Sequence, residues 1–444
     1  MLRYWSKTLS NIFQHIAHRV AWRWGFLSPF FAFVRPDMRK YLENIRLLKS
    51  DIKVGNPRPY SYPVSITLSL SNQCNLSCPI CSINNLRSKA IPRVTNHMSL
   101  QDIKAFSELF SRAEGVSFMG LVGESVVNPQ FAEIVEWLKA DYPVSLSIST
   151  NGVGITESVQ DTLLRTCFDS VTLSIHAATP DTYKALQGGD LSRALGNLRG
   201  LAVKKLKANS IYPKITIAYA LNTINISEVP QMLDTIRELD INKLHIYHYR
   251  DYGAVKWALD GNPEYANACI DKAYAYADRL RISDKLPPAR PYFLESAEPS
   301  HGASSCRCEL PWRGLQMRSS YSHQNCLYLG CCNVLNLFLF NYREHLDRYG
   351  KFDFSKIWHH PLMAYLRKTV NASPGVARNP LCEYCKSPLR NHLKDVDNAK
   401  NHQLKMNCLR QFYDGFQASC SSPIEPVHGV TILWEEDKEL RALV

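Results

Sequence analysis

Short apolar runs rich in β-branched residues alternate with amphipathic, helix-like stretches from about residue 61 onwards. These runs predict strands at Val64–Leu70, Val116–Val122, Val144–Ser149, Ser170–Ile175, Ile215–Ala220 and Leu244–Tyr247. The stretches between them predict helices at Gln101–Ala113, Pro129–Ala140, Glu157–Thr166, Leu191–Lys207 and Ser227–Leu239. Six alternations of strand and helix indicate a parallel sheet with right-handed crossovers. Six units are too few for a closed eight-stranded barrel, so we expect an α/β fold with an open, partial (β/α)6 TIM barrel.

Proline placement and composition divide the chain into four predicted segments. Four prolines fall within thirteen residues, between Pro287 and Pro299, which is typical of a domain boundary. The predicted segments are an N-terminal extension (1–60), the partial barrel (61–290), a cysteine-rich domain (291–395) and a peripheral tail (396–444). Active sites in such sheets gather at the carboxyl ends of the strands, so the chemistry is expected there.

The N-terminal extension is rich in aromatic and basic residues. Helical periodicity is plausible over Asn11 to Arg23, and Pro29 and Pro36 then interrupt it. Two interpretations stay open. A basic, aromatic helix can make a peripheral contact with an anionic membrane surface. The alternative, which we favour, is a helix packed across the outside of the main domain.

Charge and hydropathy indicate which partners and which cellular compartment to expect. The formal net charge is +12, but the excess lies mainly at the N-terminus and follows no binding motif, so no nucleic-acid partner is expected. The sequence has neither a run of eighteen apolar residues nor a signal-peptide pattern, which predicts a cytoplasmic protein, with membrane association as the open alternative. In a reducing compartment, clustered cysteines indicate metal sites rather than disulfides.

The 14 cysteines are unevenly distributed. Three lie within Cys74–Cys81 and seven lie between Cys306 and Cys385. The other four are scattered and are expected to be buried or inert: Cys167, Cys269, Cys408 and Cys420. Both groups are therefore candidate metal centres.

The first cysteine group, Cys74-Asn75-Leu76-Ser77-Cys78-Pro79-Ile80-Cys81, directly follows the first predicted strand. Three thiolates on one loop can bind a four-iron cluster and leave one iron open, as chemistry at the metal requires. Zinc is the alternative. However, zinc sites usually contain two Cys-x-x-Cys pairs, and no second pair or nearby histidine completes this one. The spacing therefore favours an iron–sulfur cluster.

This motif, in this position, resembles the hallmark of the radical S-adenosylmethionine (SAM) superfamily over roughly residues 61–250. The resemblance implies that Cys74, Cys78 and Cys81 bind a catalytic [4Fe-4S] cluster whose open iron chelates SAM. It further implies reductive cleavage of SAM to a 5′-deoxyadenosyl radical, which abstracts a substrate hydrogen. A reductant such as flavodoxin or ferredoxin is the implied electron-donating partner.

Further motifs at successive strand ends are similar to the family's cofactor-binding elements. Gly123-Glu124 resembles a Gly-Gly-Glu element, although Val122 replaces one glycine. Ser149 to Gly152 contains a Thr-Asn-Gly element that includes Asn151. The implied cofactor-binding residues are Ile80, Gly123, Glu124, Ser149, Asn151 and Ser174. His176 stands where many relatives have aspartate, which is a departure from the family's pattern.

The second cysteine group resembles the SPASM or twitch type of C-terminal domain over roughly residues 306–388. The matching signals are Cys308-x3-Trp312, Ile357-Trp358, Leu366-Arg367 and a final Cys-x2-Cys. A hairpin is expected between Gln316–Ser320 and Leu327–Cys331. The resemblance implies one auxiliary [4Fe-4S] cluster, with structural zinc as the alternative. The expected ligands are Cys308, Cys331, Cys382 and Cys385, with Cys326 and Cys332 as substitutes near Cys331.

Three functions are compatible with these signals. The preferred hypothesis is a radical SAM oxidoreductase or maturase that oxidises or epimerises a sugar-like, cyclitol-like or lipid-linked small molecule. The first alternative is a ribosomal-peptide maturase that crosslinks or oxidises its substrate. It ranks second because residues 1–60 do not resemble a strand-rich leader-binding domain. The second alternative, a non-catalytic cluster or zinc protein that binds nucleic acid, does not explain the strand-end motifs.

Overall fold

A computed structural model describes most of the first 293 residues and shorter parts of the remainder of the 444-residue chain. The described residues are 2–23, 33, 35–81, 95–120, 123–249, 257–259, 261–293, 308–319, 327–330, 338–340, 346–348, 350–370, 411–412, 414–416, 418–419 and 430–432. No helix among them is long and apolar enough to cross a membrane.

The described strands form a single sheet in the order β10-β9-β8-β7-β1-β2-β3-β4-β5-β6. The strands are β1 Ser65–Ser69, β2 Gly115–Met119, β3 Ser145–Thr150, β4 Ser170–Ser174, β5 Lys214–Leu221, β6 Lys243–His248, β7 Gly314–Ser319, β8 Leu327–Gly330, β9 Phe338–Phe340 and β10 Val430–Ile432. The run from β7 through β1 to β6 is parallel, whereas β8, β9 and β10 join antiparallel. The sheet therefore combines a barrel-like parallel part with an antiparallel extension.

The described helices lie mostly between the strands. They are α1 Leu2–Arg23, α2 Arg39–Val54, α3 Leu100–Lys104, α4 Ser107–Phe110, α5 Phe131–Asp141, α6 Glu157–Arg165, α7 Pro180–Gln187, α8 Leu191–Lys207, α9 Val229–Glu238, α10 Pro263–Leu280, α11 Leu310–Arg313, α12 Ser355–Trp358 and α13 Pro361–Val370. Most of their apolar faces pack with alternate strand residues in one large core, while α1, α2 and α11 contribute to a second, smaller core. This arrangement follows from right-handed crossovers between parallel strands.

All six predicted barrel strands are present, in sequential order, and the α/β class is confirmed. The parallel sheet is nevertheless one strand larger than the (β/α)6 prediction. The seventh strand, β7, comes from the predicted cysteine-rich domain and pairs in parallel with β1, Ile66 opposite Leu315 and Leu68 opposite Met317. The predicted hairpin is confirmed, because β7 and β8 pair antiparallel. The sequence predicts the pairing of β7 with β8 but not its pairing with β1.

Several helix boundaries also differ from the expectation. The predicted helix Gln101–Ala113 is interrupted between α3 and α4. Ser99 caps α3 in a capping box with Asp102, as its sequence signature indicates. Helices α2, α7 and α10 were not predicted. Of these, α7 matters most here, because it ends beside the first cysteine group.

Helix α1 packs across the amino ends of the barrel strands, as the favoured interpretation expected. Asn11 donates from Nδ2 to the carbonyl oxygen of Cys167 at 2.7 Å. Asp169 accepts from the Nζ of Lys139 at 2.8 Å and contacts the Nε2 of His15 at 2.9 Å. These buried polar contacts tie α1 to the start of β4. A membrane contact of residues 1–60 stays a prediction.

The two dipeptides that suggested the C-terminal domain anchor it to the segment before β1. Trp358, almost fully buried, donates from Nε1 to the carbonyl oxygen of Ser61 at 2.7 Å. Arg367 donates to the carbonyl oxygens of Pro311, Trp358 and Pro57 and lies over the Trp358 ring, 4.1 Å from its centroid. A buried guanidinium is tolerated because it is hydrogen-bonded.

The segment predicted to be a peripheral tail contributes to the fold where it is described. Phe412 and Phe416 are buried and lie 5.3 Å and 5.6 Å from the Tyr365 ring. The strand β10 pairs with β9 at the sheet edge. Apolar side chains in this segment thus bury surface of α13, which sequence patterning did not reveal.

Candidate functional site

The first cysteine group lies on the loop that leaves the carboxyl end of β1. The Ile80 N–H donates to the carbonyl oxygen of Leu186 at 3.4 Å, and the Cys81 N–H donates to that of Cys78 at 3.1 Å. Gly188, with φ of +66°, ends α7 and approaches this loop so closely that an added Cβ would lie 3.2 Å from the Ser77 carbonyl oxygen. The unpredicted helix α7 therefore supports the cysteine loop from the side.

The three thiols Cys74, Cys78 and Cys81 are half-buried and lie close enough to influence one another. Burial, and after it the neighbouring thiols Cys74 and Cys81, raise the pKa of Cys78 to about 12. A cationic iron centre reverses this effect, because it stabilises coordinated thiolates. Binding of a metal centre therefore lowers the free energy needed to form thiolates in this loop.

The chemistry of these thiols fits an iron–sulfur cluster. Cysteine thiolates are the usual ligands of such clusters, and three of them on one loop leave one iron of a four-iron cluster open. Within the described residues, no group of three or more His, Cys, Asp or Glu side chains is arranged to hold a single metal ion. The residues present therefore fit a [4Fe-4S] cluster.

Asn151, at the end of β3, joins this loop directly. Its Nδ2 donates to the Oδ1 of Asn75 at 2.7 Å and lies 3.8 Å from the Sγ of Cys74. Its Oδ1 accepts from the Val153 N–H at 2.9 Å. The amide is therefore fixed in orientation, with its donor end towards the sulfur. Asn75, which sequence reasoning treated only as a spacer, is the partner that fixes it.

Glu124, after β2, is the second fixed polar group. Its carboxylate accepts from the Asn151 N–H at 2.9 Å and from the Val126 N–H at 3.5 Å, and only 4% of the residue is exposed. Burial raises its pKa to about 7, although hydrogen bonds from Asn151, Thr150 and other groups act in the opposite direction. The contact with a cofactor that the motif implies stays a prediction. In the structure the carboxyl group connects the ends of β2 and β3.

Gly123 is required by close backbone packing. A Cβ at this position would lie 2.4 Å from the carbonyl oxygen of Ser71 and 2.5 Å from that of Gln73. The next residue, Glu124, donates its N–H to the Gln73 carbonyl oxygen at 2.6 Å. Glycine therefore lets the β2 loop lie directly against the β1 loop. The preceding residues 121 and 122 lie outside the described part of the chain.

The remaining predicted cofactor positions lie at the same carboxyl edge. Ser149 and Ser174 are half-buried at the ends of β3 and β4, and Ile80 packs partly buried against the main core. Ser174 accepts through its carbonyl oxygen from the Nε2 of Gln187 at 2.9 Å. The structure thus brings the predicted cofactor residues of β1 to β4 together, while their contacts with a cofactor stay predictions.

His176 lies just beyond β4 in a defined environment. Its Nδ1 accepts from the Ala220 N–H at 3.2 Å, and its ring meets Tyr247 edge-on at 6.2 Å. Burial lowers its pKa to about 4, against a smaller opposite effect of a hydrogen bond with the Ala218 backbone. The imidazole is therefore neutral near pH 7 and forms part of the wall at the carboxyl edge. Its fixed position depends on β5, which local sequence cannot reveal.

Among the cysteines expected to bind the auxiliary cluster, Cys308 is the one that lies in the described part of the chain. Cys308 is half-buried beside a second core cluster that contains Trp312. The other expected ligands, Cys331, Cys382 and Cys385, and the substitutes Cys326 and Cys332 lie outside the described residues. This ligand set therefore stays a prediction.

Comparison with known proteins finds similarity to one family in the part of the chain that holds the site. Residues 68–246 match the family model of the radical SAM superfamily. The chain is 31% identical over 142 residues to the mycofactocin maturase MftC of Mycobacterium tuberculosis, covering 32% of this chain and 34% of that protein. It is 26% identical over 233 residues to the PqqA peptide cyclase of Methylorubrum populi, covering 50% and 52%. The chain thus spans about a third to a half of these relatives.

Solved structures extend the similarity in fold beyond this region. The structure of Streptococcus suis SuiB bound to S-adenosylmethionine superposes with a TM-score of 0.52, covering 79% of this chain and 76% of that chain at 16% identity. At this identity the likeness concerns the fold alone. It includes regions outside the part matched by the family model.

Proposed function

We propose that this chain modifies a ribosomally made peptide by radical chemistry. Residues 68–246 match the radical SAM superfamily, a family that uses a [4Fe-4S] cluster and SAM. The proposal of radical chemistry rests on the three half-buried thiols of Cys74, Cys78 and Cys81, which lie next to the fixed amide of Asn151. When bound, the cluster and SAM supply a 5′-deoxyadenosyl radical that removes a hydrogen atom from carbon.

The residues of this chain have separate tasks in the proposal. The three cysteines hold the cluster, and Asn151 orients the loop through Asn75 and Cys74. Glu124 presents a buried carboxylate where a cofactor ammonium group gains most from charge pairing. Ser149 and Ser174 offer hydroxyl groups along the same edge. His176, which burial keeps neutral at neutral pH, and Tyr247 form an aromatic wall.

The peptide substrate is supported by the relatives and replaces our preference for a sugar-like, cyclitol-like or lipid-linked molecule. Two curated relatives are named as a mycofactocin maturase and a PqqA peptide cyclase. The structure of SuiB with its precursor peptide SuiA shares the fold of this chain at a TM-score of 0.50.

An auxiliary cluster at Cys308, Cys331, Cys382 and Cys385 belongs to the same proposal. A fully ligated cluster near the substrate can accept the electron of a substrate radical and so complete a two-electron oxidation. It can instead relay electrons or support the pocket. The reductant that starts the cycle is proposed to be a flavodoxin or ferredoxin.

The first experiment separates the cofactor assignment from the substrate assignment. The full chain is purified without oxygen, reconstituted, and compared with a variant carrying Cys74→Ala, Cys78→Ala and Cys81→Ala. We expect about eight irons per chain to fall to about four, with 5′-deoxyadenosine formed by the parent protein alone. Zinc in place of iron, without 5′-deoxyadenosine, would contradict the enzymatic proposal.

The substrate is then tested by isotope transfer. Peptides encoded beside the gene for this chain are prepared with deuterium at carbon, as are candidate cyclitols and sugars. Transfer of deuterium from a peptide to 5′-deoxyadenosine, together with a decrease in the mass of that peptide, supports peptide maturation. Transfer from a cyclitol or sugar alone would overturn the peptide proposal and leave the radical chemistry intact.

A further inference from the structure

A cavity lies at the end of the barrel opposite the cysteine loop. Its volume is about 530 Å³, within the range typical of small-molecule sites. It is bounded by the first residues of β1 to β5, by the segments before β4 and β5, and by one side of α1. The catalytic motifs, in contrast, follow the carboxyl ends of the strands. The cavity is therefore separate from the site described above.

The strand side of the cavity is lined with hydroxyl groups. Five serines contribute to it: Ser65, Ser117, Ser145, Ser147 and Ser170. Ser145 interacts with the Nε2 of Gln14 at 3.4 Å. The side chains of the other four form no hydrogen bond with any residue that the structure describes. These hydroxyl groups can therefore bind a polar ligand without first breaking internal hydrogen bonds.

The cavity also has an excess of positive charge. Arg19 and Lys214 line it, and neither forms an ion pair with a described carboxylate. The acidic lining residue, Asp169, is already paired with Lys139 at 2.8 Å and contacts His15 at 2.9 Å. One carboxylate is thus neutralised, while two cations remain available. This balance favours an anion.

The helix side of the cavity is apolar and exposed. Ile12 and Ile16 line it one turn apart, with 36% and 49% of their surfaces exposed, and Leu9 continues the row at 62%. Apolar side chains of one helix face gain free energy when a ligand removes them from water. A ligand that contacts both sides of the cavity must therefore carry an apolar part beside its charge.

We propose that this cavity binds a small amphipathic organic anion, with its carboxylate or phosphate group near Arg19 and Lys214 and its apolar part against Ile12 and Ile16. The serine hydroxyl groups hydrogen-bond the head group. Because the ligand contacts both α1 and the strands, its binding stabilises the docked position of α1. The inference does not depend on the peptide-maturation proposal, since no residue of the catalytic edge takes part.

The test uses the full chain with both clusters reconstituted and three probes with the same eight-carbon tail. Octanoate and octyl phosphate carry the expected charge, whereas octylammonium carries the opposite one. Ligand-observed NMR titrations at concentrations below micelle formation give the dissociation constants, and thermal denaturation gives the shift in Tm. We expect one or both anions to bind and raise Tm, and octylammonium to do neither. The stronger of the two anions identifies the head group.

Matched variants locate the binding. Lys214→Ala is expected to weaken anion binding about ten-fold. Lys243→Ala, at the first residue of β6 and outside the cavity lining, is the control and is expected to leave it unchanged. Ser147→Leu fills the cavity and is expected to abolish binding, while SAM cleavage measures retained folding. Equal binding of all three probes, equal effects of the two lysine variants, or no binding of either anion would overturn the proposal.

Discussion

The carboxyl group of Glu124 accepts a hydrogen bond from the backbone N–H of Asn151 at 2.9 Å, so that the ends of β2 and β3 are joined through one buried side chain. The side chain of the same Asn151 continues to Asn75 and to the sulfur of Cys74. Three strand ends thus meet in one polar chain. A substitution of Glu124 or Asn151 is therefore expected to alter the position of the cysteine loop.

Glu124 predicts a pH dependence of stability. Burial raises its pKa from 4.5 to about 7 in the folded protein. Between these values the folded state holds more protons than the unfolded state, so its stability falls as pH rises from about 4.5 to 7. Glu124→Gln is expected to flatten this dependence, as measured by urea denaturation of the cofactor-free protein at several pH values.

The control for this experiment is Glu136→Gln, which changes an exposed carboxylate in the surface pair with Arg165. It is expected to preserve the slope of the parent protein. SAM adds a second check, because an ammonium group beside Glu124 favours the ionised form. A slope that Glu124→Gln leaves unaltered would exclude the raised pKa.

Asn151→Ala is expected to impair the cluster loop. It removes the hydrogen bond to the exposed side chain of Asn75 and the contact with the half-buried sulfur of Cys74. We expect SAM cleavage to fall about ten-fold, in keeping with a net loss of roughly 1–1.5 kcal/mol for one hydrogen bond. The measurement is 5′-deoxyadenosine formed per iron bound.

Asn267→Ala provides the matched control for Asn151. Its side chain also makes two hydrogen bonds, both to the backbone of Phe293, but it lies on α10. It is expected to lower stability without lowering the rate per iron bound. Equal losses in rate for the two variants would mean that Asn151 acts through general stability alone.

Arg367→Met is expected to destabilise the C-terminal region strongly. The buried guanidinium satisfies the carbonyl oxygens of Pro311, Trp358 and Pro57, and methionine satisfies none of them. Loss of charge-assisted hydrogen bonds of about 1.5–3 kcal/mol each predicts a total above about 3 kcal/mol. Denaturation followed by tryptophan fluorescence measures it. Lys368→Met, at the exposed neighbouring position, should change stability by less than about 0.5 kcal/mol.

Asp169→Asn is expected to loosen α1 from the barrel. Burial by itself raises the pKa of Asp169, but hydrogen bonds from His15, Lys139 and Leu146 outweigh it, so that the pKa is lowered and the group is ionised at neutral pH. Asparagine keeps the shape but leaves the buried Lys139 ammonium without its counter-charge. Limited trypsin digestion should cut within residues 2–23 faster than in the parent protein.

Asp161→Asn is the corresponding control, because Asp161 pairs with Lys204 at the surface. Surface pairs contribute little, so cleavage within α1 should keep its parental rate. If both variants were cut as slowly as the parent protein, the His15–Asp169–Lys139 contacts would not be what retains α1.

Local pattern was enough to predict the barrel strands and the candidate cluster loop. Apolar runs such as Ser170–Ile175 form strands because their alternate side chains enter the core, and Cys-x3-Cys-x2-Cys needs only its position after β1. The strand partners of β7 could not be predicted from local pattern in the same way. Its pattern predicts a hairpin arm, yet its pairing with β1 depends on segments about 250 residues apart in sequence.

Residue environments were harder to predict than residue positions. Asn75 and His176 acquire their orientation from Asn151 and from Ala220, which lie on other strands. The cavity beneath the barrel likewise combines serines from several strands with isoleucines of α1. Such combinations arise only when the chain is folded, because no local spacing encodes them.

The pairing of β7 with β1 has a practical consequence for anyone who would shorten the protein. A fragment that ended at the proline-rich boundary near residue 290 would leave β1 with one bare edge, directly before the cysteine loop. An uncovered, parallel, apolar strand edge is a template for intermolecular strand addition. Such a fragment is expected to aggregate, so the two halves of this protein should be expressed together as one chain.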